Sequence, residues 1–356
     1  MNGRIKSYIA ELPLLVILCV LVYVCNICAK QTIAYFTPLS LRYDSPLGGE
    51  EALAARKYAV GKGDEKRFWP TFWREQTSEF TAGWNTASAP CIVYSGDAFL
   101  VWPERYIYGT APSAEDPAGC ALSEALAFRL FGVKDASGRT LEADGELLTV
   151  RGVFKGESEL ALVSRGMRDI KSWYNAVEMY GIQEDDAVTI AVASGIGTPS
   201  LVLKGEVLIS VANALTAFPL TVVVIFGLAQ LIRLLRRLKA PIPDMAVFTA
   251  LLLFALTLPR LVSSLPGWIT PNRLSDLSHW SSLPAKVGSG IRNFIAAAHS
   301  KRDAEGIILL LRQAVLCFLT AIIAVFSCCK WTLKINNRKF SETPDISHLG
   351  RNTGTG

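Results

Sequence analysis

The apolar segments of this chain come as one, then a long interval, then three. They cover residues 8–29, 206–235, 245–265 and 306–331. Each run has about 20 residues or more, which is enough to cross ~30 Å of hydrocarbon as a helix. The spacing predicts four membrane spans with a whole folded domain between the first and the second.

Composition agrees with a chain that is part membrane bundle and part folded domain. Hydrophobic residues make up 51% of the 356 residues, and the mean hydropathy is +0.31. This is more apolar than an ordinary soluble protein and more polar than a bundle of membrane helices alone. We therefore predict a membrane protein with four transmembrane α-helices in a 1+3 arrangement and an α+β extracytoplasmic domain at 30–205.

The basic residues predict the orientation. They cluster before the first run, between the second and third, and after the fourth, at Arg4, Lys6, Arg233, Arg236, Arg237, Lys239, Lys330, Lys334, Arg338 and Lys339. Lys and Arg prefer the cytoplasmic side in short loops, and all three clusters can share that side only if the number of spans is even. We predict a multi-pass protein of the cell (inner or plasma) membrane with both termini in the cytoplasm. The sequence has no basic patch with interleaved aromatic residues, so we do not expect it to bind nucleic acid.

The predicted order of segments follows from these runs and charges. It is N-terminal tail 1–7, helix 8–29, external domain 30–205, helix 206–235, cytoplasmic loop 236–244, helix 245–265, external loop 266–305, helix 306–331 and cytoplasmic tail 332–356. The first run is longer than the apolar region of a typical signal peptide, so a retained anchor is favoured. The second run continues outward from 235 to 205 without a strong breaker except Pro219. This pattern predicts a helix that rises out of the bilayer into the external domain, or else a tilted helix with a frayed end.

Within the external domain, the pattern predicts mixed helices and strands. Helices are expected at 50–57, 121–132 and 167–181, and strands at 159–164 and 185–194. Residues 91–109 indicate two strands joined by a turn at Ser95-Gly96-Asp97, and Asp144-Gly145 indicates a hairpin. The aromatic segment 67–84 suits either a core or a groove for an apolar ligand. In the external loop, residues 275–303 suit a helix that lies at the membrane interface.

Two cysteines, Cys91 and Cys120, fall in the external domain. In an oxidising compartment, such a pair suggests one disulfide that closes a loop of about 30 residues, worth roughly 3 kcal/mol. The alternative is two free buried thiols.

Catalytic signatures are absent from the sequence. It contains no GxxxxGK[ST] phosphate loop, no HExxH, no paired CxxC and no GxSxG. His279 and His299 are isolated and are interpreted as surface residues, so no metal site is predicted. We expect a protein that is not itself an enzyme and that carries no cofactor of its own.

Residues 119–154 carry a recognisable motif, "GCALSEALAFRLFG" followed by "SGRTLEADGELLTVRGVF". This stretch resembles the periplasmic core domain of MacB-type ABC transporter permeases, the group that includes MacB, FtsX and LolC/LolE. The matching positions are Ser123, Glu124, Leu126, Ala127, Leu130, Phe131, Gly132, Gly138, Gly145, Thr149, Val150, Gly152 and Val153. These residue types indicate structural roles, because glycines permit turns and leucines pack the helix on the hairpin. The family also has one span, an extracytoplasmic domain and then three spans.

The resemblance implies a permease subunit that couples a separate cytoplasmic ATPase to movement of the external domain, for export or for mechanical signalling. ATP would then be bound by the partner subunit. Permeases of this group usually act in pairs, so a second copy or a paralogue is expected beside the bilayer and the ATPase. The ATPase contact is assigned to the loop between spans two and three, at Arg233, Arg236, Arg237, Lys239 and Asp244. The alternative is a non-transporting scaffold or sensor whose external domain binds and regulates an extracytoplasmic protein.

Overall fold

The structure is a computed structural model that describes residues 12–61, 69–180, 184–235, 276–297 and 300–340. These residues form two compact units. The helical unit holds the described residues of 12–28, 213–235 and 312–340. The sheet unit holds those of 29–212 and 276–311.

Three long helices contribute residues to both units. They are α1 (Leu12–Ala34, 23 residues), α6 (Gly205–Leu235, 31 residues) and α8 (Lys301–Phe340, 40 residues). At 1.5 Å per residue, α6 is about 46 Å long, more than the ~30 Å that a bilayer core needs. The overlong helix predicted from 205 is therefore present, and Pro219 lies inside it.

By length and composition, two helices in the described part of the chain can cross a membrane, Val16–Ala34 and Lys301–Ser327. Within α6, Gly205–Pro219 is a shorter apolar helix. The predicted span 245–265 lies outside the described residues. A membrane protein is thus supported, while the count of four spans stays a prediction.

Side-chain contacts join the helices within the helical unit. The amide of Gln313 donates to the hydroxyl of Thr216 over 2.9 Å, which joins α8 to α6. The sulfur of Cys25 and the hydroxyl of Thr320 lie 3.4 Å apart, which joins α1 to α8. Polar contacts of this kind stabilise helix pairs in an apolar environment, where neither group has water as a partner.

The sheet unit is built on one mixed ten-stranded sheet. Its strands are β1 (Leu39–Gly48), β2 (Thr71–Ala82), β3 (Asn85–Ser95), β4 (Tyr106–Gly109), β5 (Gly119–Ser123), β6 (Thr140–Ala143), β7 (Glu146–Phe154), β8 (Ala161–Ser164), β9 (Trp173–Met179) and β10 (Leu201–Lys204). The order is β10-β1-β9-β2-β3-β8-β5-β7-β4, and β6 pairs with both β2 and β7. The pairs β3/β8 and β5/β7 are parallel, and the others are antiparallel. Because β6 pairs with both β2 and β7, six strands close into a ring in the order β2, β3, β8, β5, β7 and β6.

In the described residues, five shorter helices accompany this sheet. They are α2 (Gly49–Gly61), α3 (Ala98–Val101), α4 (Glu124–Phe131), α5 (Glu184–Ala193) and α7 (Leu277–Ala297). Leu126 and Leu130 of α4 pack into the core of the ring, and Ala52 and Ala55 of α2 pack over β1 and β9 in a second core. The mixture of helices and strands confirms the predicted α+β class for this part of the chain.

The aromatic segment 67–84 contributes side chains to the hydrophobic core. Phe72, Trp73 and Phe80 are fully buried, each in a different apolar cluster. Trp84 is the exception, because it is fully exposed at the turn between β2 and β3. Of the other two aromatics, Trp69 is half-buried and Phe68 lies outside the described residues.

Several local predictions are confirmed. The helix at 121–132 is α4, capped by the Ser123 hydroxyl at its start and by Gly132 in a left-handed conformation at its end. The hairpin at Asp144-Gly145 joins β6 to β7, with φ of 50° and 86° at the two turn residues. Positive φ at both central positions is what a type I′ turn requires, so the Asp-Gly pair was an informative signal.

Two element types were assigned the wrong way round. Residues 167–181 were predicted as a helix but contain strand β9, and 185–194 were predicted as a strand but lie in helix α5. The two-residue period of β9 was hidden because Glu178, a charged residue, occupies a fully buried position. In α5, Val188, Thr189 and Ile190 favour a strand locally, and packing of Ile190 and Ala191 in the core overrides that preference.

The predicted pair of strands at 91–109 is also corrected. A short helix, α3, begins directly after Asp97, whose carboxylate accepts from the backbone N–H of Phe99. The two strands that flank α3 do not pair, since β3 lies between β2 and β8 while β4 pairs with β7. An Asp directly before an apolar run is an N-cap signal as well as a turn signal, and here the cap is formed.

The predicted disulfide is not present, because Cys91 and Cys120 are free thiols. Both are buried in the core of the ring, but strand β8 separates their strands. Two strand spacings amount to about 10 Å, and a disulfide needs Cα atoms within about 7 Å. Burial raises the pKa of the Cys91 thiol to about 12.

Candidate functional site: where the long helices meet the sheet

The first feature of the site is the junction between the ends of α1 and α6. Helix α1 ends at Ala34 and only 35–38 separate it from β1, while α6 begins directly after β10. Strands β1 and β10 pair antiparallel, with Leu39 opposite Lys204 and Arg42 opposite Leu201. The sheet-side ends of the two helices are therefore held side by side by a backbone ladder, with almost no linker.

Gly205 makes this junction possible. A Cβ atom on Gly205 would lie 1.8 Å from the carbonyl oxygen of Thr37. That distance is far below any contact between real atoms, and the obstacle is backbone that cannot rotate away. Glycine is thus required here by close approach of the two chain segments rather than by an unusual φ.

The second feature is a buried ion cluster formed by Arg42, Glu178, Arg302 and Asp303. Arg42 comes from β1, Glu178 from β9, and the other two from the first turn of α8. Arg42 donates to both carboxylate oxygens of Asp303 over 3.0 and 2.9 Å. The guanidinium of Arg302 lies 3.1 Å from the Glu178 carboxylate and 3.2 Å from that of Asp303. The cluster therefore connects the start of α8 to two strands of the sheet.

Glu178 is the centre of the ion cluster and is fully buried. Its carboxylate accepts hydrogen bonds from the hydroxyls of Thr37 and Ser40 and from the indole N–H of Trp73. Both arginines also approach it, Arg42 at 3.3 Å. A buried carboxylate is tolerated only when its oxygens are satisfied in this way.

Trp73 packs against the ion cluster. The guanidinium carbons of Arg42 and Arg302 lie 4.9 and 5.4 Å from the centre of its ring. Cations over an indole face gain attraction from the ring quadrupole, and more so when water is excluded. The ring of Trp73 thus stabilises the charges of Arg42 and Arg302, while its N–H stabilises the carboxylate of Glu178.

The charges of the ion cluster balance, with two guanidinium groups against two carboxylates. Burial acts to lower the pKa of Arg42, but attraction from Asp303 and Glu178 outweighs it, so that pKa lies above its usual range. Arg42 is consequently charged at every accessible pH. Removal of one partner from such a cluster leaves an uncompensated buried charge, which costs about 3–5 kcal/mol.

Further hydrogen bonds fix the first turn of α8. Arg302 donates to the carbonyl oxygens of Val101 and Leu100 over 2.8 and 2.9 Å. The backbone N–H of Lys301 donates to the Glu75 carboxylate over 2.6 Å, and its ammonium donates to the carbonyl of Glu159 over 2.8 Å. Burial raises the pKa of Glu75, against the opposing effect of Lys301. Two basic residues at a helix start oppose the helix dipole, so these partners are what make the arrangement stable.

The site residues predicted from the sequence are not members of the ion cluster. The motif residues form α4 and its surroundings: Ser123 caps α4, Leu126 and Leu130 are buried, and Gly138 and Gly145 have positive φ. Gly152 packs so closely that a Cβ would lie 2.4 Å from the Thr110 carbonyl oxygen. Glu124 pairs with Lys134, and Phe131 packs against the core of the ring. Arg233 lies in α6, while Arg236, Arg237, Lys239 and Asp244 are outside the described residues.

Sequence reasoning missed the ion cluster. Its members come from three distant segments of the chain, with Arg42 and Glu178 as isolated charges and Arg302-Asp303 as part of a charged run. The one available signal was charge inside strand-like apolar stretches, at Arg42 in "LSLRY" and at Glu178 in "NAVEM". Among the described residues, no group of three His, Cys, Asp or Glu side chains is placed to hold a metal ion.

Comparisons with solved structures find a periplasmic region, an extracellular domain and a domain of a permease protein. The periplasmic region of MacB from Actinobacillus actinomycetemcomitans is 11% identical, with a TM-score of 0.39, over 48% of this chain and 89% of that one. The extracellular domain of YknZ, a noncanonic ABC-type transporter from Gram-positive bacteria, is 14% identical, with a TM-score of 0.34, over 49% of this chain and 92% of that one. A domain from Porphyromonas gingivalis, described as that of a permease, is 17% identical, with a TM-score of 0.31, over 45% and 83%.

No family model matches the sequence, and no curated protein matches it. The MacB-type resemblance that the 119–154 motif carries is also what the structural comparisons find.

Proposed function

We propose that this chain is the membrane subunit of a MacB-type ABC system, in which a separate cytoplasmic ATPase moves the external sheet unit through the long helices. The observation that carries the proposal is the attachment of the sheet-side ends of α1, α6 and α8 to one sheet. Strands β1 and β10 attach the first two, and the ion cluster attaches the third. A pull on any of these helices would be transmitted to the sheet because no flexible linker intervenes.

The coupling needs stiff elements, and the chain has them. Helix α6 begins at Gly205 directly after the last residue of β10, so a displacement of the helix would act on the strand without an intervening loop. The first turn of α8 is held by backbone acceptors and by buried charges, which are directional contacts rather than adaptable apolar ones. In this proposal the chain itself carries out no reaction, and ATP is bound by the partner subunit.

The proposal predicts that an ABC ATPase copurifies with the intact chain from its native membranes in mild detergent. Charge reversal at Arg233, Arg236 and Arg237 to Glu should remove the ATPase, because these residues are the proposed contact. The matched control is Arg129→Glu on the surface of the sheet unit, where the pair with Glu159 is exposed and no contact is expected. Copurification is read by quantitative mass spectrometry.

The outcomes separate two levels of the proposal. Recovery of the intact chain with no ATPase would overturn the permease assignment. An ATPase retained by the triple variant would overturn only the assignment of the contact to this loop.

The alternative is a non-transporting scaffold that binds an extracytoplasmic protein. Trp84 favours it, because this large apolar side chain is fully exposed at the tip of the β2–β3 hairpin, and exposed tryptophans are common binding anchors. The same purification discriminates: a scaffold would bring down an extracytoplasmic protein and no ATPase.

A further inference from the structure

Helix α7 lies in the loop between the third predicted span and α8 and is amphipathic. Its carboxylate cap is Asp276, which accepts from the backbone N–H groups of Ser278 and His279 over 3.1 and 3.2 Å. One stripe of the helix carries apolar side chains at helical spacing, at Leu277, Trp280, Pro284, Ile291 and Ile295. The stripe extends about 27 Å from Leu277 to Ile295.

Only part of this stripe is covered within the sheet unit. Ile291 packs into an apolar layer with Leu208 of α6 and Ile307 of α8, and Gly290 lies against Val207, where a Cβ would come within 3.1 Å of its side chain. Leu277 is 81% exposed, Trp280 beside it is exposed, and Ile295 near the other end of the stripe is 56% exposed. Exposed apolar side chains at both ends of one helical stripe indicate an interaction surface.

The apolar layer gives the depth of α7 relative to α8. In the turn of α8 that contributes Ile307 and Leu310 to the layer, Ile308 and Leu311 point outward and are exposed. This turn belongs to the candidate membrane span Lys301–Ser327. Helix α7 therefore shares an apolar layer with the turn of α8 in which outward-facing apolar side chains begin, near the start of this candidate span.

The charge of α7 fits a lipid surface. Between 277 and 297 the helix contains Lys286 and Arg292 and no acidic residue. Both basic side chains are exposed and lie off the apolar stripe. Interfacial helices combine these features, with an apolar face that enters the acyl boundary, a tryptophan at headgroup level and basic residues toward anionic headgroups.

We propose that α7 is a membrane-surface helix that inserts Leu277, Trp280 and Ile295 into the bilayer interface and directs Lys286 and Arg292 to anionic headgroups. Its partner is thus the lipid surface itself. The inference does not depend on an ATPase and stands or falls separately from the proposed function.

The test uses the full chain reconstituted in vesicles of phosphatidylcholine and phosphatidylglycerol, with and without bromine on the acyl chains. Brominated chains quench tryptophans that reach the bilayer. Trp280→Phe should lower the quenched fraction of the emission, because it removes a lipid-accessible residue among the chain's eight tryptophans. The matched control, Trp84→Phe at the hairpin tip, should raise that fraction. An unchanged or raised fraction in Trp280→Phe would overturn the proposal.

A second pair of variants tests which face of α7 meets the lipid. In the Trp280→Phe background, Leu277→Trp on the apolar stripe should restore the lost quenching. Ser278→Trp, one position along and about 100° around the helix, should not restore it. Equal quenching of the two variants would contradict the assigned face. In the unaltered chain, Trp280 quenching should increase with the anionic lipid fraction. In the Lys286→Gln/Arg292→Gln variant this increase should disappear, and a retained increase would contradict the assigned headgroup contact.

Discussion

Glu178→Gln is expected to destabilise the sheet unit by about 3–5 kcal/mol. The amide keeps the size of the side chain and can still accept hydrogen bonds from Ser40 and Trp73. It removes one of two negative charges, so the guanidinium groups of Arg42 and Arg302 face a single carboxylate in a buried site. The loss is read as a lower unfolding midpoint of the full chain in detergent, at unchanged denaturant dependence.

The matched control for this change is Glu146→Gln. Glu146 also pairs with an arginine, Arg165, but its side chain is more than half exposed. Exposed pairs are screened by water and contribute little, so the unfolding midpoint should stay where it is. Equal midpoints for Glu178→Gln and the unaltered chain would mean that the ion cluster does not hold the start of α8.

Gly205→Ala should be nearly as damaging, for a steric reason. The added methyl would lie 1.8 Å from the Thr37 carbonyl oxygen, so β10 and the start of α6 must move away from the 35–38 segment. We expect a loss of about 3 kcal/mol or more, at the upper end of overpacking effects. Thermal unfolding of the full chain, followed by circular dichroism, measures it.

Gly61→Ala is the control for the glycine change. Gly61 ends α2, and a Cβ at this position would meet no atom within 4 Å. Alanine is a better helix former than glycine, so this variant should be neutral or slightly stabilised. A Gly205→Ala variant as stable as Gly61→Ala would show that the two helix ends are not pressed together.

Local signals in the sequence predicted local structure well. Ser123 and Gly132 marked both ends of α4, and Asp144-Gly145 marked a hairpin, because capping and turn chemistry act over a few residues. The apolar stretch from 205, in which Pro219 is the one strong breaker, predicted the overlong α6 for a similar reason. These features need no knowledge of what lies across the fold.

Long-range features were not predictable in this way. Strand β9 was mistaken for a helix because its pattern makes sense only once Glu178 is known to be neutralised by Arg42 and Arg302 from distant segments. The disulfide was suggested by the count of cysteines in the domain, and only the strand order shows that β8 lies between them. The ion cluster, which is the main part of the candidate site, depends entirely on such pairings.

In the proposed function, nucleotide turnover on the cytoplasmic side moves the strands to which the sheet-side ends of α1, α6 and α8 are attached. Hydrogen exchange of the assembled complex, with and without ATP, measures this movement. We expect amides of β1 and β9 around Arg42 and Glu178 to change their exchange rates between the two states, while those of the β6–β7 hairpin do not. Identical exchange of β1 and β9 in both states, in an assembly that hydrolyses ATP, would contradict the proposed coupling.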